Sequence, residues 1–563
     1  MALRTLLFTT LAVGAKSQTF EPANFNVTQA LVEQGVNLSA LPELASLTER
    51  SSNSACHTAC SSLQIIYGAD SISYHGEAEY ETFTTSYWSQ NLNDVKPYCV
   101  FRPSKPSAVS VLVLVSRLSQ CPFAVKSGGH APFAGASSIE GGITVSFEKL
   151  KAITLSADTK TVAVKPGNTW GRVLSALKTT DVTVLSGRIG DIGVGGLSLG
   201  GGLSFLSNEY GLVCDNIASF DVVTASGLIV NASPTQYPDL FWALRGGGNN
   251  FGIVVGFNYQ TKPLPGDQLF GGTRTFPEAA FPQVAKAYVD LTLNSASDPK
   301  AGSWIVFINS NGQKLAMGEL WYGAPLAKGS DAPILADFYR IGAVSDTTQT
   351  RGHAQYILDN EARNAYGERQ VTNVLSVRAS HALAARTIEI FYDGIGALAG
   401  VAGAFPALVW QQITEGSLKG SARNGGNTMG LDPACGPLHI IELVCSWADA
   451  KDDELVYKTM SDINRRIKEE SVKLGVESDW LYMNYASQFQ DVVASYGAEN
   501  KAKLKRVAGR YDPSRVFQTL QPGYFKLDRA PIPESDGLTS HEEQELNVDV
   551  KEYWMPLQYC LDY

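Results

Sequence analysis

Apolar and polar positions along this chain recur in short units whose period switches between that of a helix and that of a strand. Pro106 to Leu118 (PSAVSVLVLVSRL) has helical periodicity, the FAVKSG that follows reads as a short strand, and GGITVSF reads as another, bounded by Gly141 and Gly142. TVAVKPG predicts a further strand, and TWGRVLSALK an amphipathic helix with Thr169 at its N-cap. FDVVTASGLIVNAS predicts a hairpin turning at Ser226 and Gly227, and PDLFWALRGGG a helix ended by glycine. Beyond residue 267 the units lengthen. SWIVFINSNGQKLAMGELWYG sets Asn311-Gly312 between two alternating runs, the signature of a type I′ hairpin, and HIIELVCSW is another strand, so this part predicts an antiparallel sheet. On that last strand the period of two puts Glu442 opposite His439, Ile441 and Leu443, where it either reaches a ligand or is a solvated or hydrogen-bonded sheet residue. The rhythm is that of an α+β fold.

Two glycine-rich segments interrupt it. VKSGGHAPFAG, read from Val125, puts His130 directly after two glycines in a loop between apolar stretches. Adjacent glycines let the backbone turn and bring consecutive N–H groups against an anion with no Cβ in the way, although the loop taken alone is equally a tight turn carrying a solvated imidazole. Gly187 to Gly202 (GRIGDIGVGGLSLGGG) is denser in glycine than a helix or strand interior tolerates, which implies close approach to its backbone. Neither it nor GGGNNFG (Gly246 to Gly252) fits GxGxxG between a strand and a helix, and no phosphate-binding P-loop occurs, which disfavours a Rossmann dinucleotide site or a nucleoside triphosphatase.

Composition narrows the function classes. The 563 residues, 44% hydrophobic and 18% charged, suffice for more than one core, and a net charge of -10 without a dense basic run argues against a nucleic-acid partner. Arg4, the apolar run Leu6 to Val13 and small residues around Ala15 to Ser17 predict a secretory signal peptide over residues 1–17, and no later stretch reads as a membrane helix. A secreted chain makes the sequons at Asn26, Asn37 and Asn231 usable for glycosylation. It also makes two disulfides the expectation among Cys56, Cys60, Cys99 and Cys121, with Cys60–Cys121 preferred because it would tie the N-terminal helix to the strand entering the Gly-Gly-His loop. The CxxxC spacing lacks a histidine pair for a metal, so no metal is expected. Cys214 and Cys445 sit in apolar contexts suited to buried thiols. Residues 528–563 are acidic, end in an aromatic tail with Cys560, and read as a flexible extension.

The ordered set SGGH, GVGGLSLGGG with a downstream YGL, DLFWALRGGGNNFGIV, and a late YMNYAS followed by YDPSRVFQ resembles the secreted, berberine-bridge-enzyme-like branch of the FAD-linked oxidases of the vanillyl-alcohol-oxidase type. The resemblance runs from about Cys56 to Leu527. It implies a two-part FAD-binding domain over residues 95–266 after an N-terminal helical segment (18–94). A substrate domain follows at 267–480, its antiparallel sheet covered by helices and roofing the flavin, and a C-terminal segment at 481–527 returns to the FAD domain.

Carried over by position, the resemblance implies that His130 bonds covalently to the 8α-methyl of the flavin. Backbone amides of Ser127, Gly128 and Gly129 would hold the pyrophosphate. Gly193, Gly195 and Gly196 would lie near the isoalloxazine, and Asn250, Gly252, Ile253 and Val254 would line the cofactor, the last two being equally ordinary strand core. Relatives with a second covalent link carry a cysteine where this chain has Ile189, so a single link is expected; Ile192 matches the position over the flavin where oxygen arrives. Tyr485 of the Y-x-N-Y tetrad would be the catalytic base, with Asn484 touching the flavin or orienting the phenol, and the phenol needs either a neighbouring cation or the proton affinity of the developing alkoxide to act at neutral pH. Ala486-Ser487 replaces the family's Ala-Asp after the tetrad, which removes a carboxylate there. The expected activity is hydride transfer from an alcohol, amine or activated C–H of a small molecule to the flavin, reoxidised by O2 or another acceptor, by a monomer. The other readings are an oligosaccharide oxidase and, from a different class, a flavin-carrying binding protein without turnover.

Overall fold

The computed structural model describes residues 20–47 and 55–528; the expected leader over residues 1–17 and the acidic extension with Cys560 lie outside the described residues. Near the N-terminus, α1 (Ala55–Tyr67), β1 (Ile72–Tyr74), β2 (Cys99–Phe101), α2 (Pro106–Ser119), β3 (Phe123–Lys126) and β4 (Ile143–Ser146) form one layer pair. Their sheet has the order β1-β2-β4-β3, with β2 and β3 parallel to β4. The 18–94 segment is therefore not purely helical, because β1 pairs with β2 and carries the sheet edge. Every residue of α2 from Ala108 to Ser116 is buried, as its nearly continuous apolar sequence requires.

Two disulfides form among the four clustered cysteines, but not with the expected pairing. Cys56 bonds Cys121 and Cys60 bonds Cys99, with Cα atoms 4.8 and 6.4 Å apart. Cys56 and Cys60 stand one turn apart on one face of α1, so each meets a different neighbour, and it is Cys56 that ties the helix to the chain entering β3. Cys214 and Cys445 are buried free thiols, as expected.

A second sheet holds β5 (Ile153–Leu155), β6 (Thr161–Val164), β7 (Ile217–Val223), β8 (Ile229–Ala232) and β9 (Ile253–Gln260), in the order β5-β6-β9-β7-β8 and antiparallel throughout. Helices α3 (Trp170–Leu177), α4 (Val194–Leu199) and α5 (Pro238–Ala243) accompany it, with a single further turn at Ser207–Tyr210. Thr169 occupies the N-cap of α3 but its side chain makes no capping bond. The helix α4 inside the glycine-rich segment departs from the sequence expectation. Tertiary contact outweighs the poor helix propensity of Gly195 and Gly196, since Gly195 N donates to Ser127 Oγ at 3.0 Å and the Gly193 backbone lies against Gly128.

The third sheet is the largest, nine-stranded among the described residues. Its long strands are β10 (Gln268–Pro277), β11 (Ala301–Ser310), β12 (Gln313–Tyr322), β13 (Arg369–Arg378), β14 (Phe405–Ile413) and β15 (Leu438–Trp447), antiparallel in the order β10-β12-β11-β14-β15-β13. The turn between β11 and β12 is the two-residue hairpin expected, with Asn311 at φ 51° and Gly312 at φ 81°. The longer helices of this part are α6 (Phe281–Leu293), α7 (His353–Glu361), α8 (His381–Gly394) and α9 (Asp453–Lys473). Of these, α6, α8 and α9 cover one face, sharing a core with Ile305, Phe307, Leu408, Trp410, Ile441 and Leu443. Strand alternation turns Trp304, Thr372, Val409, Gln411, Glu442 and Val444 to the other face, where a cavity lies. Residues after 480 rejoin the N-terminal layers: Phe123 N donates to Leu520 O at 2.7 Å, and Val516 and Phe517 join the core beneath α2.

Candidate active site

The cavity, of about 560 Å³, is walled on one side by the glycine-rich loops of residues 127–131, 189–200 and 248–254 and on the other by the inner face of the large sheet. Of the cofactor-binding residues expected from sequence, Ser127, Gly128, Gly129, His130, Gly193, Gly195, Gly196, Gly252, Ile253, Val254 and Asn484 line it, as do Ile189, Ile192 and Tyr485. Asn250 does not. Its fully buried amide donates to Gly247 O at 2.8 Å and to Phe525 O at 3.1 Å, so it stitches the loop to the C-terminal segment while its neighbour Asn249 reaches the cavity.

The two glycine loops meet backbone to backbone. A Cβ on Gly128 would sit 2.4 Å from Gly193 N, and Gly129 holds φ at 78°. Ser127 spends its hydroxyl within the protein, donating to Pro166 O at 2.6 Å and accepting from Gly195 N. His130 stacks on Trp88, ring centroids 4.4 Å apart and planes 11° from parallel. Its Nε2 lies 2.8 Å from Asn364 Nδ2, which also donates to Asp191 Oδ2 at 3.1 Å. Burial pulls the imidazolium pKa down to about 4, outweighing Asp191 at 3.8 Å, so the ring is neutral at pH 7.

At the opposite wall the tetrad Tyr482–Tyr485 passes through a single 3₁₀ turn, Met483–Tyr485. Asn484 Nδ2 donates to Leu197 O at 3.0 Å and to Tyr482 Oη at 3.1 Å, and Tyr482 Oη accepts from Gly202 N at 2.9 Å; both side chains pin the end of α4. Tyr485 Oη donates to Gln411 Oε1 at 3.2 Å and accepts from Arg188 Nη2 at 3.0 Å. Arg188, itself bonded to Gln411, lies 4.4 Å over the Trp304 ring. The guanidinium is a cation in direct contact with the phenol: burial raises the Tyr485 pKa, and Arg188 opposes that rise. Gln411 Nε2 in turn donates to Glu442 Oε2 at 2.8 Å, which resolves the two readings of Glu442: it is hydrogen-bonded in the sheet and lines the cavity as well.

Burial pushes the Glu442 carboxyl from its ordinary 4.5 up to about 7, against the Gln411 bond and Arg188. Between those two values the folded state holds a proton that the unfolded state has lost, so stability falls as pH rises through the window, by on the order of 3 kcal/mol in all. Glu442→Gln is expected to flatten the urea-unfolding free energy between pH 4.5 and 7 relative to the native chain; the same pH slope in both proteins would contradict this burial.

Comparison with known proteins bears on this site. Residues 97–233 match a family model described as an FAD binding domain. An FAD-dependent monooxygenase of Aspergillus calidoustus is 31% identical over 525 residues, covering 90% of this chain and 98% of the relative. The chain belongs to the FAD-linked oxidoreductases of the berberine-bridge-enzyme-like family. A second FAD-dependent monooxygenase, of Fusarium proliferatum, is 31% identical over 502 residues, 84% of this chain and 95% of its own. Among solved structures, the xylooligosaccharide oxidase of Myceliophthora thermophila superposes with a TM-score of 0.65 at 22% identity, over 82% of this chain and 97% of its own. BBE-like 1 of Physcomitrella patens does so with 0.66 at 18% identity, over 92% and 100%. At these identities the two structures share the fold.

The cavity of this FAD-linked oxidoreductase fits its cofactor. Glycines form the wall where side chains would fill the space, and Gln521 Oε1, buried at its edge, has no hydrogen-bond partner among the described residues. Arg188, Gln411, Asp191, Asn364 and Trp88 were not singled out from the sequence. Gln411 carries a faint signal, a polar residue at an alternating position in an apolar strand, whereas Asn364 sits in a loop with no pattern at all.

Proposed function

We propose that this oxidoreductase is a secreted enzyme that removes hydride from a small organic molecule at a carbon bearing O–H or N–H, on FAD held by one covalent bond to His130, with O2 as final acceptor and the monomer as working unit. Bound FAD supplies the two-electron acceptor. Ile189 provides no thiol for a second bond. Tyr485 takes the substrate proton at Oη while Arg188 keeps the phenol from rising further in pKa, and Gln411, braced by Glu442, sets the direction of the phenol. The observation that carries this reading is the hydrogen-bonded chain Arg188–Tyr485–Gln411–Glu442 on the cavity wall facing the glycine loops. The relatives' own description as monooxygenases supports oxygen as a reactant. Exposed Asn26 and Asn37 support passage through a glycosylating compartment, while the half-buried Asn231 amide is engaged by Ser219 and Asp221.

Anaerobic mixing with a panel of alcohols, amines, phenolic compounds and oligosaccharides tests the reading: bleaching of flavin absorbance by a small non-sugar molecule is expected. No bleaching by any member would leave a binding protein, and bleaching by oligosaccharides alone would move the substrate class. Ile192 lines the cavity beside Gly193, so Ile192→Val is expected to speed reoxidation of the reduced enzyme by O2 in stopped flow. Unchanged reoxidation would retire Ile192 as an oxygen gate.

A further inference from the structure

The loop joining α7 to β13, residues 362–368, belongs to the large-sheet part of the chain yet reaches across to His130. It is fastened on both sides. Asn360 Nδ2 donates to Arg188 O at 3.0 Å and Gly190 N to Ile357 O at 3.0 Å, while Gly367 N donates to Trp88 O at 3.1 Å and Gln90 N to Glu368 O at 2.8 Å. Between these fastenings Asn364 Nδ2 bridges His130 Nε2 and Asp191 Oδ2, and Tyr366 Oη donates to the same Asp191 oxygen at 2.7 Å. The second oxygen, Asp191 Oδ1, is buried, has no hydrogen-bond partner among the described residues, and faces His130 Nε2 from 3.8 Å. A buried carboxylate oxygen left unsatisfied is costly unless it has an electrostatic task.

We propose that Asp191 and Asn364, steadied by Tyr366, form the device that prepares His130 for its bond to the flavin, so that the large-sheet loop completes the attachment site. This rests on the covalent reading above. In the attachment, a nitrogen of His130 forms a bond to the 8-methyl carbon, which gives up one hydrogen as a proton; the imidazole N–H gives up a second proton. The two electrons of the broken C–H bond pass into the ring system and are removed by O2, which takes both protons and leaves as hydrogen peroxide. Positive charge develops on the imidazole as its lone pair is committed. The Asp191 carboxylate, 3.8 Å from Nε2, is placed to stabilise that charge, and the Trp88 stack with the Asn364 bond holds the ring at one angle. Asp191 and Asn364 are positioning residues in this account, acting on His130 alone.

The test uses the full chain produced under riboflavin limitation and then given FAD, with total bound flavin and acid-precipitable flavin followed together over time. Asp191→Asn, which keeps the shape and removes the charge, and Asn364→Leu are each expected to bind FAD in full while attaching it on the order of a hundredfold more slowly than the native chain. Attachment at the native rate in both variants would overturn the proposal. Loss of total FAD binding together with attachment would also overturn it, because the pair would then merely support the fold. Native protein that binds FAD without ever making it acid-stable would instead refute the covalent reading itself, as distinct from this device.

Discussion

Acid precipitation of the native protein is expected to leave yellow flavin in the pellet, and His130→Ala to leave a colourless one with the flavin in the supernatant. The effect should be complete, because one bond is at stake and Ile189 offers no second. The physical basis is the state of the ring. Attack on carbon needs an imidazole lone pair, and burial against Trp88 drives the pKa to about 4, so at neutral pH nearly every molecule carries the neutral ring. Flavin released by acid from the native protein would refute the link. His130→Ala should still bind FAD non-covalently, since the loop contacts that shape the cavity are made by Ser127, Gly128, Gly193 and Gly195 and do not involve the imidazole.

Tyr485→Phe is expected to slow anaerobic flavin reduction by on the order of 10²- to 10⁴-fold while leaving the flavin spectrum and the covalent bond intact. The ring stays in place because it packs edge-on against Tyr482, centroids 4.9 Å apart, and only the hydroxyl is removed. What disappears is the atom on which Arg188 and Gln411 converge. Removing it also leaves the guanidinium with one fewer acceptor in a buried setting, so part of the loss will read as altered substrate affinity. Reduction at the native rate would exclude Tyr485 and direct attention to Glu442 as proton acceptor. Because Asn484 contacts α4 rather than the phenol, Asn484→Ala should disturb flavin binding before it disturbs proton transfer.

Legibility from sequence followed the range of the interactions concerned. Strands β11, β12 and β15, the Asn311-Gly312 hairpin, α2 and the alternation that sets Glu442 apart from its neighbours were readable because strand and helix periods are local, whereas β10, β13 and β14 were not read from the sequence. The helix α4 was missed because its stability comes from contact with the 127–129 loop, which propensity does not register. The disulfide pairing was missed for a related reason: one helical turn separates Cys56 from Cys60, and only the packing of α1 against α2 and β2 decides which partner each meets.

The candidate site divides in the same way. His130 with its glycines, and Tyr485 in its tetrad, are contiguous motifs, so the sequence by itself determined the cofactor class, the attachment residue to test and the base to test. Which groups surround them was decided only by the tertiary structure. Arg188 is 297 positions from Tyr485 and Asn364 is 234 from His130, separations that no local pattern spans. The reason is physical. A motif records the backbone geometry a ligand demands, whereas the charges and hydrogen bonds that tune a phenol or an imidazole act through space, from whatever side chains folding brings within 3 to 4 Å.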